Sequence, residues 1–156
     1  KQFNLPGMSV LQFGFDAQED NPHKPHNIEA DRVAYTGTHD NDTTRGWFES
    51  MSPDEQRNIL GTLGIDAAQS TSANTPELSR LVLTQLIERA MNSRASLCMI
   101  PMQDVLQLDG SARMNTPGTV EGNWQWSFQW QQLDNHVIEV MRQQIERAGR
   151  LVNSNV

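Results

Sequence analysis

The chain has 156 residues, of which 37% are hydrophobic and 20% charged, enough for one domain with a core and well away from the composition of a disordered chain. Nineteen acidic side chains against twelve basic ones give a formal charge of −7, which argues against nucleic acid or an anionic membrane as the principal partner. The single cysteine, Cys98, excludes an internal disulfide framework and a multi-cysteine zinc site, and fits a cytoplasmic location.

The opening residues Lys1 to Gly7 contain no apolar signal region and no initiator Met, and they read as mid-protein sequence. No apolar run approaches the roughly 18–20 residues of a membrane helix, so a soluble chain is expected. Pro6-Gly7 is a turn signal, and Met8 to Phe15 alternates imperfectly as a strand. Asp16 to Asp31 is rich in Asn, Pro, His and acids and reads as a long loop. A second strand is expected over Arg32 to Thr38, ending at the polar cluster from His39 to Thr44.

Ser52-Pro53-Asp54-Glu55 predicts a helix start, because Ser52 can cap, Pro53 suits the first helical position and Glu55 completes a capping box. That helix should end near Gly61 or Gly64. Another starts at Thr75-Pro76-Glu77, with Leu78, Leu81, Val82, Leu86, Ala90 and Met91 at helical spacing up to Asn92. The apolar run Ala95 to Met102 predicts a strand buried on both faces. Asp109 to Asn123 is irregular, and Leu133 to Leu151 carries Val137, Met141, Ile145 and Ala148 on one helical face. Strands alternating with helices predict parallel βαβ units, with polar loops after the strands, where a β/α barrel carries its site. Three strands cannot close such a barrel, which typically takes about 250 residues, so a small open α/β layer is the alternative.

The densest polar cluster is Thr36 to Thr44. A His and two acids there suit acid/base work, a metal or a polyol, and Asp40 and Asp42 share one face if the strand continues. The alternative is a loop in which Asp and Asn satisfy backbone groups and cap the next helix. His23, His26, His39, Asp40 and Asp42 are metal-ligand types, but the His-x-x-His spacing sits in a Pro-rich loop and matches no metal motif, so no metal is expected. Cys98, inside an apolar run, reads as packing rather than nucleophile. Trp124, Trp126, Phe128 and Trp130 alternate at period two, which suits either a core-facing strand, the weightier reading, or a platform for sugar rings.

Pro6 to Phe15, then Asn21-Pro22-His23-Lys24-Pro25-His26-Asn27, then Tyr35-Thr36-Gly37-Thr38-His39-Asp40-Asn41-Asp42-Thr43-Thr44 with Gly46-Trp47 closely resemble the amylomaltases, the 4-alpha-glucanotransferases or disproportionating enzymes of bacteria and plants. Pro101 to Leu106, Ala112 to Thr119 and Gly122-Asn123-Trp124 with Trp126 continue the resemblance in order. It implies an α/β fold, the C-terminal part of a (β/α)8 barrel, with residues 1–156 forming strands six to eight and their helices and no separate second domain. It also implies retaining transfer of α-1,4-glucan segments between maltooligosaccharides, with no metal or organic cofactor.

By the same resemblance Asp40 is the third, transition-state-stabilising carboxylate. His39 hydrogen-bonds the same sugar ring, and Asp16, Asn115 and Trp47 are substrate-binding positions. The family nucleophile sits in an Arg-x-Asp motif and its acid/base in a Glu-Asp-Leu-Gly-like block, and neither occurs in this sequence. The chain is therefore expected to need the N-terminal part of the same enzyme and to be inactive alone. A glucan-binding module without catalysis and a purely structural fragment are the other readings.

Overall fold

The structure is a computed structural model that describes residues 5–66 and 75–151. Strands β1 (Gly7–Val10), β2 (Arg32–Tyr35) and β3 (Leu97–Met99) form a parallel sheet in the order β1-β2-β3. Helices α1 (Thr44–Glu49), α2 (Pro53–Leu63) and α3 (Thr75–Asn92) come between β2 and β3, and the short α4 (Met102–Val105) and the longer α5 (Asn135–Arg147) follow.

The local signals explain these boundaries. At α2 the Ser52 hydroxyl accepts from Glu55 N–H while the Glu55 carboxylate accepts from Ser52 N–H, a complete capping box. The helix stops at Gly64, whose φ of 72° lies in the left-handed region that glycine enters without steric cost. At α5 the Asp134 side chain accepts from Val137 N–H. The helices over 75–92 and near the C-terminus match the periodicity. The strands are shorter than the sequence predicts. β1 gives way at Leu11 to a 3-10 turn, Leu11–Phe13, and the end of β2 leaves Asp40 and Asp42 in a turn, not on a common strand face.

Helix α3 is the centre of the packing. Its Val82, Leu86 and Ala90 join Leu11, Ile28, Ala34, Phe48, Ile59 and Leu60 in the main core. One residue round the helix, Leu83, Ile87 and Met91 receive Met141 and Ile145 from α5 and Ala148 from its C-cap. Cys98 touches both clusters, and burial pushes its thiol up from the ordinary range, against a smaller opposing effect of Arg150. It is a packing residue, as its apolar surroundings predict.

Register puts Ser9, Ala34 and Cys98 on the helix-covered face and Met8, Val33 and Leu97, with Tyr35 and Met99, on the other. That second face is largely uncovered: Leu97 is 51% and Met99 48% exposed. The expectation that β3 is buried on both faces is therefore wrong for this chain: Leu97 and Met99 stand open on that side, although Val10 of β1, on the same face, is buried. The Trp124–Trp130 stretch also departs from its reading. It forms no strand, Trp124 and Trp130 are exposed, and a 3-10 turn spans Trp130–Gln132. Among the described residues no helix is long and apolar enough to cross a membrane.

Candidate active site

The loop from Gly37 to Thr43 leaves the C-terminal end of β2 and enters α1. Its own polar groups fold it. Asn41 Oδ1 accepts from Thr38 N–H at 3.0 Å and from the Thr38 hydroxyl at 2.7 Å, and Asn41 N–H donates to Thr38 C=O at 3.1 Å. Asp42 Oδ1 accepts from Thr43 N–H at 2.7 Å, and the Thr43 hydroxyl caps α1 by accepting from Gly46 N–H at 3.0 Å. The loop alternative therefore describes Asn41 and Asp42, which are used on backbone groups.

Asp40 is not used in that way. Its carboxylate projects outward, about half exposed, with Oδ1 accepting from Asn115 Nδ2 at 2.6 Å and lying 3.4 Å from His39 Nε2. Arg113 fixes the approach of the Asn115 loop. Its Nη2 donates to Asp40 C=O at 2.8 Å and its Nε to Asn115 C=O at 2.9 Å. The indole of Trp124 covers one side of His39, ring centroids 5.2 Å apart. Trp124 is 62% exposed and has φ of 61°, an uncommon conformation for a bulky side chain, fixed by its N–H donating to Met114 C=O at 2.8 Å.

His39, Asp40 and Arg113 border a cleft of about 420 Å³ at the C-terminal ends of β2 and β3, lined also by Asp42 and Met114 and by Met8, Tyr35 and Met99. Beneath it the buried Asp104, on α4, accepts from Thr36 and Thr44. Burial pushes the Asp104 carboxyl up, and the three hydrogen bonds pull it back. Gly46 allows the close approach of α1 to the turn at Gly110–Ala112: a Cβ there would lie 2.6 Å from Gly110 Cα and 2.6 Å from Asp42 Oδ1.

The structure thus brings Asn115 against the neighbouring residues His39 and Asp40, from a stretch 75 residues further along the chain. Asp16 and Trp47 lie elsewhere. Trp47 is half-buried against the core with Phe15 at 5.4 Å, and Asp16 borders a second cavity of about 350 Å³ between the 14–26 loop and helices α2 and α3. Sequence reasoning missed Arg113 and Asp104. An Arg two residues before Asn115 was the available signal for the first, and an acid inside an apolar stretch for the second.

The 16–31 loop is held by hydrogen bonds of its own side chains. His23 Nδ1 accepts from Val10 N–H at 2.9 Å, and Asn21 Nδ2 donates to Phe13 C=O at 2.8 Å. Among the described residues no group of three or more His, Cys, Asp or Glu is placed to hold a metal ion. Burial, then the Arg32 charge, hold the His23 imidazole below its usual value of 6.5, with Asp16 opposing. The unfolded chain therefore takes up this proton first. The His23 contribution to stability is complete above the unfolded value and is lost as pH falls below it. The unfolding midpoint should drop from about pH 7 to about pH 5 more steeply than in His23→Asn, whose Oδ1 keeps an acceptor for Val10 without titrating. Equal slopes in both proteins would contradict this assignment.

A family model described as 4-alpha-glucanotransferase matches residues 1–133. The chloroplastic/amyloplastic 4-alpha-glucanotransferase of Solanum tuberosum is 47% identical over 126 residues, which cover 81% of this chain and 20% of that protein. The 4-alpha-glucanotransferase of Thermus thermophilus is 44% identical over 130 residues, covering 80% of this chain and 24% of the relative. Among solved structures, an amylomaltase from Streptococcus agalactiae in complex with acarbose matches with a TM-score of 0.81 and 25% identity, over 96% of this chain and 28% of the other. The chain spans about a fifth to a quarter of the length of the curated relatives it matches. With a parallel α/β sheet, a cleft carrying His39 and Asp40 at its strand ends and a family match over most of its length, the chain belongs to the 4-alpha-glucanotransferases, the amylomaltases.

Proposed function

We propose that this segment acts within a longer polypeptide that transfers α-1,4-glucan segments between maltooligosaccharides, and that Asp40 is the carboxylate stabilising its transition states. The observation that carries the reading is the outward Asp40 carboxylate, held at 2.6 Å by Asn115 at the cleft mouth, in a chain of this family. Retaining transfer needs a nucleophilic carboxylate and an acid/base carboxyl about 5 Å apart and passes twice through an oxocarbenium-like state. Those two groups are assigned to the N-terminal part of the polypeptide. Asp40 accepts hydrogen bonds from ring hydroxyls of the sugar under attack. Such bonds strengthen as the ring flattens and gains positive charge, so they stabilise the transition state more than the ground state. Asn115 holds the carboxylate in place, and His39 donates to a neighbouring hydroxyl.

The same reading takes β1, β2 and β3 as the sixth, seventh and eighth strands of a (β/α)8 barrel, and residues 1–156 as one barrel segment with no second domain. Three features support it: parallel pairing throughout the described sheet, a cleft at the C-terminal strand ends, and an apolar sheet face left open where a barrel would have its packed interior. Asp16 is a substrate-loop group in this proposal. Trp47, packed against Phe15 at the foot of that loop, is a substrate-binding position in the same proposal. The chemistry uses no metal or organic cofactor, and a cytoplasmic location goes with the lone free thiol.

The test is product analysis with the full-length polypeptide. Maltotriose should yield glucose together with longer maltooligosaccharides, whereas unchanged maltotriose would refute the activity. Trp124, exposed beside His39, offers a flat face for a glucosyl ring. Trp124→Ala should raise KM for maltotriose about five- to tenfold, with a smaller change in kcat. An unchanged KM would remove Trp124 from the binding surface.

A further inference from the structure

We propose that Asp104 is a positioning residue for Asp40: its carboxylate clamps together the two ends of the loop that presents the Asp40 side chain to the cleft. The proposal rests on the reading of Asp40 given above. Thr36 is the residue immediately after β2 and Thr44 is the first residue of α1, so they flank the Gly37–Thr43 loop. Asp104 Oδ2 accepts from the Thr36 hydroxyl at 2.6 Å and from the Thr44 hydroxyl at 2.7 Å, and Oδ1 accepts from Thr44 N–H at 2.9 Å. Asp104 is 1% exposed and both threonines are fully buried.

The chemistry of the clamp calls for a carboxylate. Taking an anion out of water is costly, and an apolar side chain of similar volume normally serves packing at least as well. The hydrogen bonds to the Asp104 carboxylate come from Thr36 and Thr44, and the charged group acting on it, Asp42, carries the same sign of charge. What a carboxylate supplies is acceptor capacity on both oxygens without a donor. It receives the fixed Thr44 N–H and both hydroxyls at once. An amide keeps one oxygen for the Thr44 N–H but turns an N–H₂ toward two hydroxyls that must then rotate to accept. Asparagine therefore loosens the clamp without opening a cavity. Asp40 lies in the middle of the loop, so slack at both ends is transmitted to its carboxylate.

The test is a double-mutant cycle in the full-length polypeptide, with maltotriose as substrate. Asp104→Asn should lower kcat by about ten- to a hundredfold while KM changes little, as expected when a transition-state group is displaced by a fraction of an ångström. In the Asp40→Asn background the same substitution should cost less than about threefold more, because the loop position acts through the Asp40 charge. If Asp104→Asn multiplies its full loss onto Asp40→Asn, or leaves kcat within about twofold of wild type, the clamp is refuted. Thr36→Val, which deletes one donor at nearly constant volume, covers the case in which Asp104→Asn does not fold. It should show the same loss of kcat in milder form and the same non-additivity, and an additive or absent effect overturns the proposal. Failure of the underlying reading is distinguishable. A wild type without transfer activity, or an Asp40→Asn enzyme with normal turnover, sinks both claims, whereas an active wild type and a crippled Asp40→Asn enzyme beside an indifferent Asp104→Asn sink only the clamp.

Discussion

Asp40→Asn in the full-length polypeptide should lower kcat for maltotriose disproportionation by at least about 10²–10³-fold while leaving the unfolding temperature unchanged. The substitution removes a charge and almost nothing else. An asparagine Oδ1 can still accept from Asn115 Nδ2, and the half-exposed side chain makes no core contact. Binding of neutral sugar hydroxyls in the ground state should survive, so KM should move far less than kcat. The measurement is steady-state release of glucose from maltotriose, with thermal unfolding of the same preparation alongside. Turnover within a few-fold of wild type would take the transition-state role away from Asp40. A loss of kcat accompanied by a lowered unfolding temperature would reassign the effect to folding.

The largest expected effect on stability is that of Phe48→Ala, at about 3–5 kcal/mol. Among the described residues Phe48 is the largest fully buried side chain, and it belongs to the main core with Leu11, Ile28, Ile59 and Leu86. Truncation removes the transfer free energy of the ring and leaves a cavity that neighbours from the Leu11–Phe13 turn, α2 and α3 cannot all close. Domains are stable by only about 5–15 kcal/mol, so this one substitution consumes a large part of the margin. Because α1 begins directly after the Asp40 loop, the site should loosen before the rest of the chain unfolds. The midpoint of denaturant unfolding measures the effect, and a change below about 1 kcal/mol would show that the ring is not packed as described.

How much of this was legible in the sequence depended on range. The α2 boundaries rest on Ser52, Pro53, Glu55 and Gly64, all within a turn of where they act, and they could be read directly. The periodicity of α3 and the later helix was equally local. The strands were overextended because an apolar run does not reveal where pairing stops. Leu11 and Phe13 are apolar but turn into a 3-10 segment, and Leu97 and Met99 are apolar yet about half exposed. The aromatic run from Trp124 to Trp130 misled in the other direction, since alternation was present without a strand.

In the site, Asp40, His39 and Asn115 followed from the resemblance, and the geometry adds that they meet. Arg113 and Asp104 could not be found from spacing, because the partners that give them their place, Asp40, Thr36 and Thr44, lie 60 to 73 residues away and include backbone atoms such as Asp40 C=O and Thr44 N–H. The importance of Gly46 is likewise invisible until Gly110 is seen packed against it.

The central claim is transfer between glucans, and the most direct measurement is incorporation of a labelled acceptor. The full-length polypeptide is incubated with maltotriose and carbon-13-labelled glucose, and the products are separated and weighed by mass spectrometry. The account predicts labelled glucose at the reducing end of newly formed maltooligosaccharides, with total reducing ends unchanged. Label remaining wholly in free glucose while reducing ends accumulate would mean hydrolysis, and would contradict the account.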